Sequence, residues 1–288
     1  MELLGKTAIV TGSNTGLGFE TALDLYQKGA KVYVACRDEE KGLNAIERMK
    51  VISSGGELIY GHLDLASLSS IKVFAEKVIA TENRLDLLVN NAGVMIPPPS
   101  KSEDGFELQF GVNFIGHFTL TGHLFNLLES TTGSRVVTLS SIAHRGAIID
   151  FDNFRLEKPY NNWREYGQSK LADLIFALEF EKRLRNNSCQ LLSLAAHPGF
   201  SKTDLQKYMD KDMLDSLELM TAKEGAQPTL AACIRPDAKG GQYWGPDGHN
   251  EQKGKPALAK IDSVALDEKL NSKLWDWAKK VTEVNFPF

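Results

Sequence analysis

Two patterns of apolar and polar residues alternate along the chain. Runs of consecutive apolar and β-branched residues, each ended by glycine or polar residues, predict buried strands. They occupy residues 6–12, 31–36, 57–65, 85–93, 134–141, 189–199 and 240–244. Between these runs, apolar residues recur at helical spacing, as in residues 17–30. Continuous apolar strands that alternate with helices predict a parallel sheet with helices on both faces.

This order of elements predicts a single-domain α/β protein. Because connections between parallel strands are right-handed, we expect a doubly wound Rossmann fold with a seven-stranded parallel sheet. A ligand crevice is then expected outside the carboxyl ends of the strands.

Three segments do not fit the alternation. They are residues 144–162, residues 200–220 and the tail from Asp247. Long irregular connections in compact domains are commonly lids or binding loops, and whether residues 200–220 and the tail form a lid stays open. Residues 212–220 would form an apolar cover or pack against the sheet. Aromatic side chains of the tail would close a pocket, seal a subunit interface or, as we favour, pack a terminal helix: Trp275, Trp277, Phe286 and Phe288.

Composition and charge exclude several classes of function. The 288 residues are 42% hydrophobic and 24% charged, which is typical of a soluble globular protein. Lys and Arg number 33 against 37 Asp and Glu, without basic runs interleaved with aromatic residues, so nucleic-acid binding is not expected. No apolar run reaches the length of about eighteen residues needed for a membrane span, and the polar start predicts a cytoplasmic protein without an export signal.

The three cysteines lack metal-ligand spacing, so we expect free thiols and no metal site.

The segment TGSNTGLG, residues 11–18, ends the first strand and opens the first helix. Its glycines suit a tight turn, close approach of a ligand to the backbone, and packing of helix on strand. Amides at the helix N-terminus can then face a diphosphate, although an isolated glycine triplet is as often a simple turn. We predict that the loop binds cofactor through Gly12, Ser13, Asn14, Thr15, Gly16, Leu17 and Gly18.

Tyr166 and Lys170 are four residues apart in a helical segment and must lie on one face of it. An isolated pair of this kind is usually a surface pair. In a crevice, however, an adjacent ammonium favours the phenolate form and brings the pKa of the phenol toward the working range of an acid/base catalyst.

Several signatures, in order and at strand ends, resemble the short-chain dehydrogenase/reductase (SDR) family. Besides the glycine loop and the tyrosine motif they are NNAG at 90–93, SSIAH at 140–144 and PGFSKT at 198–203. The resemblance covers residues 7 to about 245 and is greatest to the group of the retinol dehydrogenases and the WW-domain-containing oxidoreductase. The sequence shows neither the apolar N-terminal anchor nor the WW domain of these relatives, so we expect retinol to be only one possible substrate.

The resemblance implies a division of the domain. Residues 1–130 would form mainly the cofactor-binding half, and residues 131–245 the catalytic and substrate half. Residues 246–288 would form a C-terminal tail and helix.

The resemblance also implies four catalytic residues, Asn113, Ser141, Tyr166 and Lys170. Tyr166 would exchange a proton with the substrate oxygen, and Ser141 would hold that oxygen by a hydrogen bond. Ser141 is chosen over Ser140 because relatives place the serine just before an apolar residue and adjacent strand residues point to opposite faces. Asn113 would hold a water that extends the proton relay. A satisfied core asparagine is the alternative.

The remaining cofactor contacts follow from the same resemblance. Adenine would lie by Asp64 and Leu65, ribose by Asn91, Ala92 and Gly93, and the nicotinamide by Tyr166, Lys170, Pro198, Gly199 and Thr203.

Arg37 carries the prediction for the type of cofactor. In the family an acidic residue at the end of the second strand marks NAD(H), and Cys36 stands there instead. The guanidinium of Arg37 suits a 2'-phosphate, whereas Asp38 could accept a hydrogen bond from a ribose hydroxyl. We therefore favour NADP(H) over NAD(H). The alternatives are a plain surface arginine and, for Asp64, a helix cap.

The resemblance predicts an NADP(H)-dependent oxidoreductase that interconverts a carbonyl, expected to be hydrophobic, and an alcohol by hydride transfer. A carbon–carbon double-bond reductase of the protochlorophyllide reductase type and a non-catalytic NADP(H)-binding sensor or scaffold are the alternatives. The family further implies a homodimer through the helices bearing Asn113 and Tyr166, with a monomer as the alternative.

Overall fold

The computed structural model describes residues 2–215 and 217–288, except for the side chain of Met213. The expected cover at 212–220 therefore lies in part outside the described residues. Within the described residues, no helix is both long and apolar enough to cross a membrane.

One sheet runs through the whole domain in the order β3-β2-β1-β4-β5-β6-β7-β8. Every neighbouring pair is parallel except β7 and β8. The strands are β1 Thr7–Thr11, β2 Lys31–Cys36, β3 Glu57–His62, β4 Leu87–Asn90, β5 Arg135–Leu139, β6 Leu192–Ala196, β7 Tyr243–Pro246 and β8 Pro256–Leu258.

The doubly wound α/β fold is confirmed, but the expected strand number is wrong, because the sheet has eight strands rather than seven. The additional strand, β8, has three residues and pairs antiparallel with β7 at the sheet edge. None of its residues is buried. With three residues, the first of them proline, it is too short to be recognised in the sequence as a strand.

The helices connect the strands and cover both faces of the sheet. They are α1 Gly16–Gln27, α2 Glu39–Ile52, α3 Leu68–Thr81, α4 Gly116–Glu129, α5 Asn162–Asn186, α6 Lys211–Asp215, α7 Ala222–Gly225, α8 Gln227–Ile234 and α9 Glu268–Thr282. A π-helical turn at Phe110–Ile115 leads into α4, and 3-10 turns occur at Ile142–His144, Asp204–Tyr208, His249–Glu251 and Ser263–Leu266.

The two faces of the sheet form separate hydrophobic cores. In β1, Ala8 and Val10 pack into the core under α1 and α8, and Ile9 packs into the core under α4 and α5. Alternate residues of a strand point to opposite faces, so a strand buried on both sides must be apolar throughout. This explains why the strands were visible in the sequence as continuous apolar runs.

The C-terminal helix and tail pack on α4 and α5. Aromatic ring centroids lie 5.1 Å apart for Phe118 and Trp275 and 5.4 Å apart for Phe180 and Phe286. Trp277 packs farther along, 4.3 Å from the ring of Phe154. Of the three interpretations of the tail aromatics, packing of a terminal helix is therefore the one that the structure shows.

Candidate active site

The carboxyl ends of four adjacent strands bring the predicted site residues to one edge of the sheet. The strands β1, β4, β5 and β6 lie side by side in parallel. The glycine loop follows β1, NNAG follows β4, Ser141 follows β5, and Pro198 follows β6. Helix α5 packs on one face of β5 and β6 and carries Tyr166 and Lys170.

The glycine loop has the backbone geometry that only glycine tolerates well. Gly12 and Gly16 have φ of 65° and 57°, in the left-handed region. A Cβ atom at Gly18 would lie 2.5 Å from the carbonyl oxygen of Gly12. Thr15, the residue before α1, makes no side-chain cap, so no side chain caps the first amides of the helix. These features fit an anion at the helix N-terminus, the place predicted for a diphosphate.

The other loop residues hold this turn in place. The hydroxyl of buried Ser13 donates to the carbonyl of Val10 at 2.7 Å. Thr15 donates to Asp204 at 2.8 Å, which ties the glycine loop to the segment after β6. Asn14 and Leu17 are half-buried.

NNAG fastens β1 to β4. The side-chain amide of Asn91 donates to the carbonyl of Thr11 at 2.7 Å. The hydroxyl oxygen of Thr11 accepts from the backbone amides of Asn91 and Ala92, both at 2.9 Å. Gly93 faces helix α5, because a Cβ atom at Gly93 would lie 3.7 Å from Nζ of Lys170.

Asn113 lies in the π-helical turn before α4, and its side chain is fully paired. Its Oδ1 accepts from the amide of Val94 at 2.8 Å, and its Nδ2 donates to the carbonyl of Val94 and to Ser169. Its own backbone carbonyl accepts from Nδ1 of His117 at 2.6 Å. The structure therefore shows the satisfied core asparagine, and the predicted water relay stays a prediction.

Tyr166, Lys170 and Ser141 come together at the end of β5. Tyr166 is 5% exposed, and its hydroxyl interacts with Ser141. Nζ of Lys170 donates to the carbonyl of Leu139 at 2.9 Å. Ser140 is engaged elsewhere, since its hydroxyl donates to the backbone carbonyl of Lys170 at 2.7 Å. This geometry supports the choice of Ser141 over Ser140.

The electrostatics of Tyr166 differ from the expectation. Burial raises the pKa of its phenol above the ordinary value of 10.0, while the charge of Lys170 and the hydrogen bond with Ser141 act to lower it. Lys170 therefore acts in the predicted direction, but desolvation outweighs it. At neutral pH Tyr166 keeps its proton and can serve as a hydrogen-bond and proton donor.

Asp173 is a charged residue of this site that the motifs did not reveal. Its Oδ2 accepts from Nζ of Lys170 at 2.8 Å, and both side chains are buried. Burial raises the pKa of Asp173 to about 7, against the opposing charge of Lys170. Its signal in the sequence is an acidic residue in the otherwise apolar run LADLIFAL, residues 171–178, three positions after Lys170.

Arg37 follows β2, on the side of the crevice where the adenosine of a cofactor is predicted to bind. It is exposed, and among the described residues it makes no hydrogen bond or ion pair. Asp38 instead caps α2, accepting from the amide of Lys41 at 3.0 Å and pairing with its ammonium. Asp64 accepts from the amide of Ala66, while Ser67 caps α3. The helix-cap alternative for Asp64 is therefore wrong. Leu65, beside it, is buried.

The loop after β6 is held between the glycine loop and the tail. A Cβ at Gly16 would lie 3.3 Å from the side chain of Thr203, so Thr203 lies beside the predicted diphosphate site. Pro198 accepts from Ser201 through its carbonyl, and Gly199 has φ of 61°. His197 donates to Glu251 at 3.0 Å, which holds the loop against the tail segment.

An apolar cluster and an open cleft lie beside Tyr166. Tyr166 packs with Met95 and Ile96, and Leu205 and Met209 from the segment after β6 pack on this cluster. Ile96 has φ of 44°, a strained conformation for a β-branched residue. The cleft, about 440 Å³, is lined by Ile96, Pro97, Pro98, Pro99, Tyr160, Asn161, Asn162 and Tyr208.

Ile96 is held in this conformation by buried Gln109. The side-chain oxygen of Gln109 accepts from the amide of Ile96 at 2.8 Å. The side-chain nitrogen of Gln109, Nε2, donates to the carbonyl of Asn162 at 3.0 Å and to the hydroxyl of Tyr160. The wall of the cleft is thus joined to the start of the helix that carries Tyr166.

Among the described residues there is no group of His, Cys, Asp and Glu side chains suited to a metal ion.

Comparisons with known proteins agree with this geometry. A family model described as short chain dehydrogenase matches residues 6–214. Retinol dehydrogenase 14 of Homo sapiens is 37% identical over 295 residues, covering 94% of this chain and 84% of that protein. Retinol dehydrogenase 11 of Mus musculus is 43% identical over 238 residues, covering 81% of this chain and 75% of that protein.

Solved structures show the same architecture. An uncharacterised protein from Mycobacterium paratuberculosis superposes with a TM-score of 0.85 at 35% identity, over 100% of this chain and 97% of that chain. RhlG of Pseudomonas aeruginosa, at 23% identity, has a TM-score of 0.69 over 84% of this chain and 94% of that chain. The second likeness shows the fold alone.

Proposed function

The chain belongs to the short-chain dehydrogenase/reductase family, in its retinol dehydrogenase group, and on that premise we propose that it interconverts a hydrophobic aldehyde or ketone and its alcohol with NADP(H). It is an NAD(P)-dependent oxidoreductase acting on alcohol or carbonyl substrates. The observation that carries the proposal is the buried Tyr166, with Ser141 and Lys170 beside it at the end of β5.

The residues of the site have complementary tasks in this reaction. Ser141 donates a hydrogen bond to the substrate oxygen and stabilises the negative charge that develops on it. Tyr166 donates a proton to that oxygen during reduction and takes it back during oxidation. The bound nicotinamide supplies the hydride for the carbonyl carbon. Burial raises the pKa of Tyr166, and the charge of Lys170 offsets part of this increase. Proton transfer to and from the phenol is therefore accessible in both directions.

The preference for NADP(H) rests on the end of β2. Arg37 is exposed there, and among the described residues it makes no hydrogen bond or ion pair, although its charge acts on the carboxylate of Asp38. Asp38 caps α2 and pairs with Lys41, so both of its carboxylate oxygens are already engaged by Lys41. A free guanidinium beside the adenosine ribose suits a 2'-phosphate.

The substrate class rests on the surroundings of Tyr166. Apolar side chains of Met95, Ile96, Leu205 and Met209 favour a hydrophobic group next to the reacting carbon. The neighbouring cleft of about 440 Å³ gives room for a longer or partly polar remainder. Retinol dehydrogenases 11 and 14 are among the relatives, so retinaldehyde belongs in the substrate panel.

The test is oxidation of NADPH, in parallel with NADH, by a panel of aldehydes, ketones and enones, retinaldehyde included. We expect turnover of a hydrophobic carbonyl with NADPH, and a loss of at least about 100-fold in kcat in Tyr166→Phe because the proton donor is removed. Tyr26→Phe, which removes the hydroxyl of a buried tyrosine in the other core, is the matched control and should keep full activity.

Each contrary result has a definite meaning. Equal rates in the wild type and Tyr166→Phe refute the role given to Tyr166. Reduction of the enone double bond with the carbonyl untouched favours the double-bond reductase. Tight NADPH binding without turnover of any compound favours a sensor or scaffold.

The packing of the tail supports a monomer rather than the homodimer expected from the family. Helix α9 and Phe286 lie on α4 and α5, so pairing of two chains through these helices would have to displace them. Size-exclusion chromatography with light scattering should give the mass of one chain, 31.8 kDa. Twice that mass would overturn the monomer proposal. The cytoplasmic location stays a prediction, for which cell fractionation is the test.

A further inference from the structure

The buried carboxylate of Asp173 belongs to no recognised sequence motif and has no role in the proposed reaction. It lies three residues after Lys170 on α5, and its side chain is 1% exposed. Its Oδ2 is 2.8 Å from Nζ of Lys170, while its Oδ1 has no hydrogen-bond partner among the described residues. A buried carboxylate with one unpaired oxygen is costly, because its lost hydration is only partly replaced.

Asp173 fixes where the ammonium of Lys170 lies. Nζ donates to Asp173 and to the carbonyl of Leu139, the last residue of β5. The remaining side of the ammonium faces Gly93, whose missing Cβ would lie 3.7 Å away. The carboxylate of Asp173 and the carbonyl of Leu139 therefore hold the ammonium of Lys170 so that it faces the crevice between β4 and β5. A flexible lysine would otherwise sample several rotamers there.

Asp173 also acts on Tyr166 by charge. Lys170 lowers the pKa of Tyr166, and Asp173 raises it, because a nearby negative charge disfavours the phenolate. Two further titratable groups face this pair. His117, beside Lys170, is fully buried and its pKa is lowered to about 3, so it stays neutral. Tyr243 of β7, beside Tyr166, is also fully buried, and burial raises the pKa of its phenol, so it stays neutral as well. Above the pKa of about 7 that burial gives Asp173, the charge acting on the phenol is thus set by one ammonium and one carboxylate.

We propose that Asp173 is a positioning residue that holds Lys170 in the crevice and, by its negative charge, keeps Tyr166 protonated over a wider range of pH. This inference rests on the proposed function, since it gives Tyr166 the acid/base role. It makes two separable predictions, one for the charge of Asp173 and one for its hydrogen bond.

The charge is tested with Asp173→Asn, whose amide oxygen can still accept from Lys170. Without the negative charge the phenolate is favoured, so both the acidic limb of alcohol oxidation and the alkaline limb of carbonyl reduction should move to lower pH. We expect a shift of about one pH unit in kcat/KM. Oxidation measured well below the apparent pKa would then rise up to about tenfold. Asp173→Glu restores the charge and should move both limbs back toward the wild type.

The hydrogen bond is tested with Asp173→Ala, which also removes the acceptor. We expect weaker NADPH binding, measured by cofactor fluorescence, than in Asp173→Asn, because Lys170 loses its direction in the crevice. The matched control is Glu179→Gln, which removes another buried carboxylate of α5 that pairs with Arg183. It should change thermal stability without moving either limb of the pH profile.

Several outcomes would overturn the proposal. A pH profile of Asp173→Asn that superimposes on the wild type shows that the charge does not act on Tyr166. If Asp173→Asn does not fold, Asp173→Ser removes the same charge in a smaller volume and is read in the same way. If only Asp173→Glu folds, the carboxylate is a structural requirement rather than a positioning device.

Failure of the proposed function can be told apart from failure of this inference. If no carbonyl or alcohol turns over, the proposed function fails. The ionisation of Tyr166 can still be followed by tyrosinate absorbance, as the difference between each protein and its Tyr166→Phe variant. A lower midpoint in Asp173→Asn than in the wild-type background supports the inference without any turnover, and an equal midpoint contradicts it.

Discussion

Tyr166 illustrates at the scale of one residue how burial and charge compete. Its phenol is enclosed by Met95 and Ile96, and this desolvation opposes ionisation more strongly than Lys170 favours it. The spacing of Tyr166 and Lys170 in the sequence reveals their common face but not the depth of the site. The depth arises from residues that are distant in the sequence and become neighbours only in the fold.

Arg37 gives a test of cofactor selection at the same scale. Arg37→Ala should raise the KM for NADPH about 10-fold or more, because it removes a charge-assisted hydrogen bond to the 2'-phosphate, worth about 1.5–3 kcal/mol. The KM for NADH should change little. Lys50→Ala, which removes another exposed cation farther along α2, is the control. Parallel losses with both cofactors in Arg37→Ala would mean that Arg37 does not read the phosphate.

Helix α9 and the tail show at the scale of elements why a terminal segment can be indispensable to a core. Phe286 is 1% exposed and lies among the rings of Phe118, Phe180 and Trp275. Gly122 of α4 has no side chain at this contact, since a Cβ there would lie 2.0 Å from Val284. The tail is therefore a third layer over α4 and α5, on the far side of those helices from the sheet.

Phe286→Ala should destabilise the protein by about 3–5 kcal/mol, because it removes a large buried ring and leaves a cavity. Unfolding in urea measures the loss. Leu258→Ala, at a position that is 61% exposed, should stay within about 0.5 kcal/mol of the wild type. Since Phe286 does not contact the Tyr166 cluster, the KM values of the folded variant should be unchanged. A small loss would show that the tail packs weakly in solution.

Stability against acid is a property of the whole molecule, to which fully buried His117 contributes. Its Nδ1 donates to Asn113, its Nε2 is paired with Thr11 at 2.9 Å, and burial lowers its pKa from 6.5 to about 3. Between these two values the unfolded chain binds a proton that the folded chain does not. The folded state therefore loses stability as the pH falls below 6.5, by about 1.4 kcal/mol per pH unit from this group.

In His117→Gln the free energy of unfolding should depend less steeply on pH, by up to about 1.4 kcal/mol per unit over that range. Its absolute stability at neutral pH should also be lower, because the buried hydrogen bonds are remade imperfectly. Urea unfolding at a series of pH values measures both quantities. Asp173 acts in the opposite sense, since its pKa is raised, so only the difference between variant and wild type isolates His117. Identical slopes would show that His117 is not a buried neutral group.

The sequence by itself determined the doubly wound fold, the glycine loop and the Tyr166–Lys170 pair, because each depends on spacing within one element or at one strand end. Strand β8 and the partnership of Asp173 with Lys170 were not evident. The first is an edge strand of only three residues, and the second is marked in the sequence only by one acidic residue among apolar ones.

Only the tertiary structure decided which partners the two serines have, how far the phenol is buried, and where the tail packs. Ser140 and Ser141 are equivalent in sequence chemistry, and the turn after β5 gives them different partners. Burial and pairing are sums over side chains from many segments, so they exist only once those segments have been brought together. Local spacing predicts the reaction chemistry, and three-dimensional packing sets the electrostatic environment of the residues proposed to carry it.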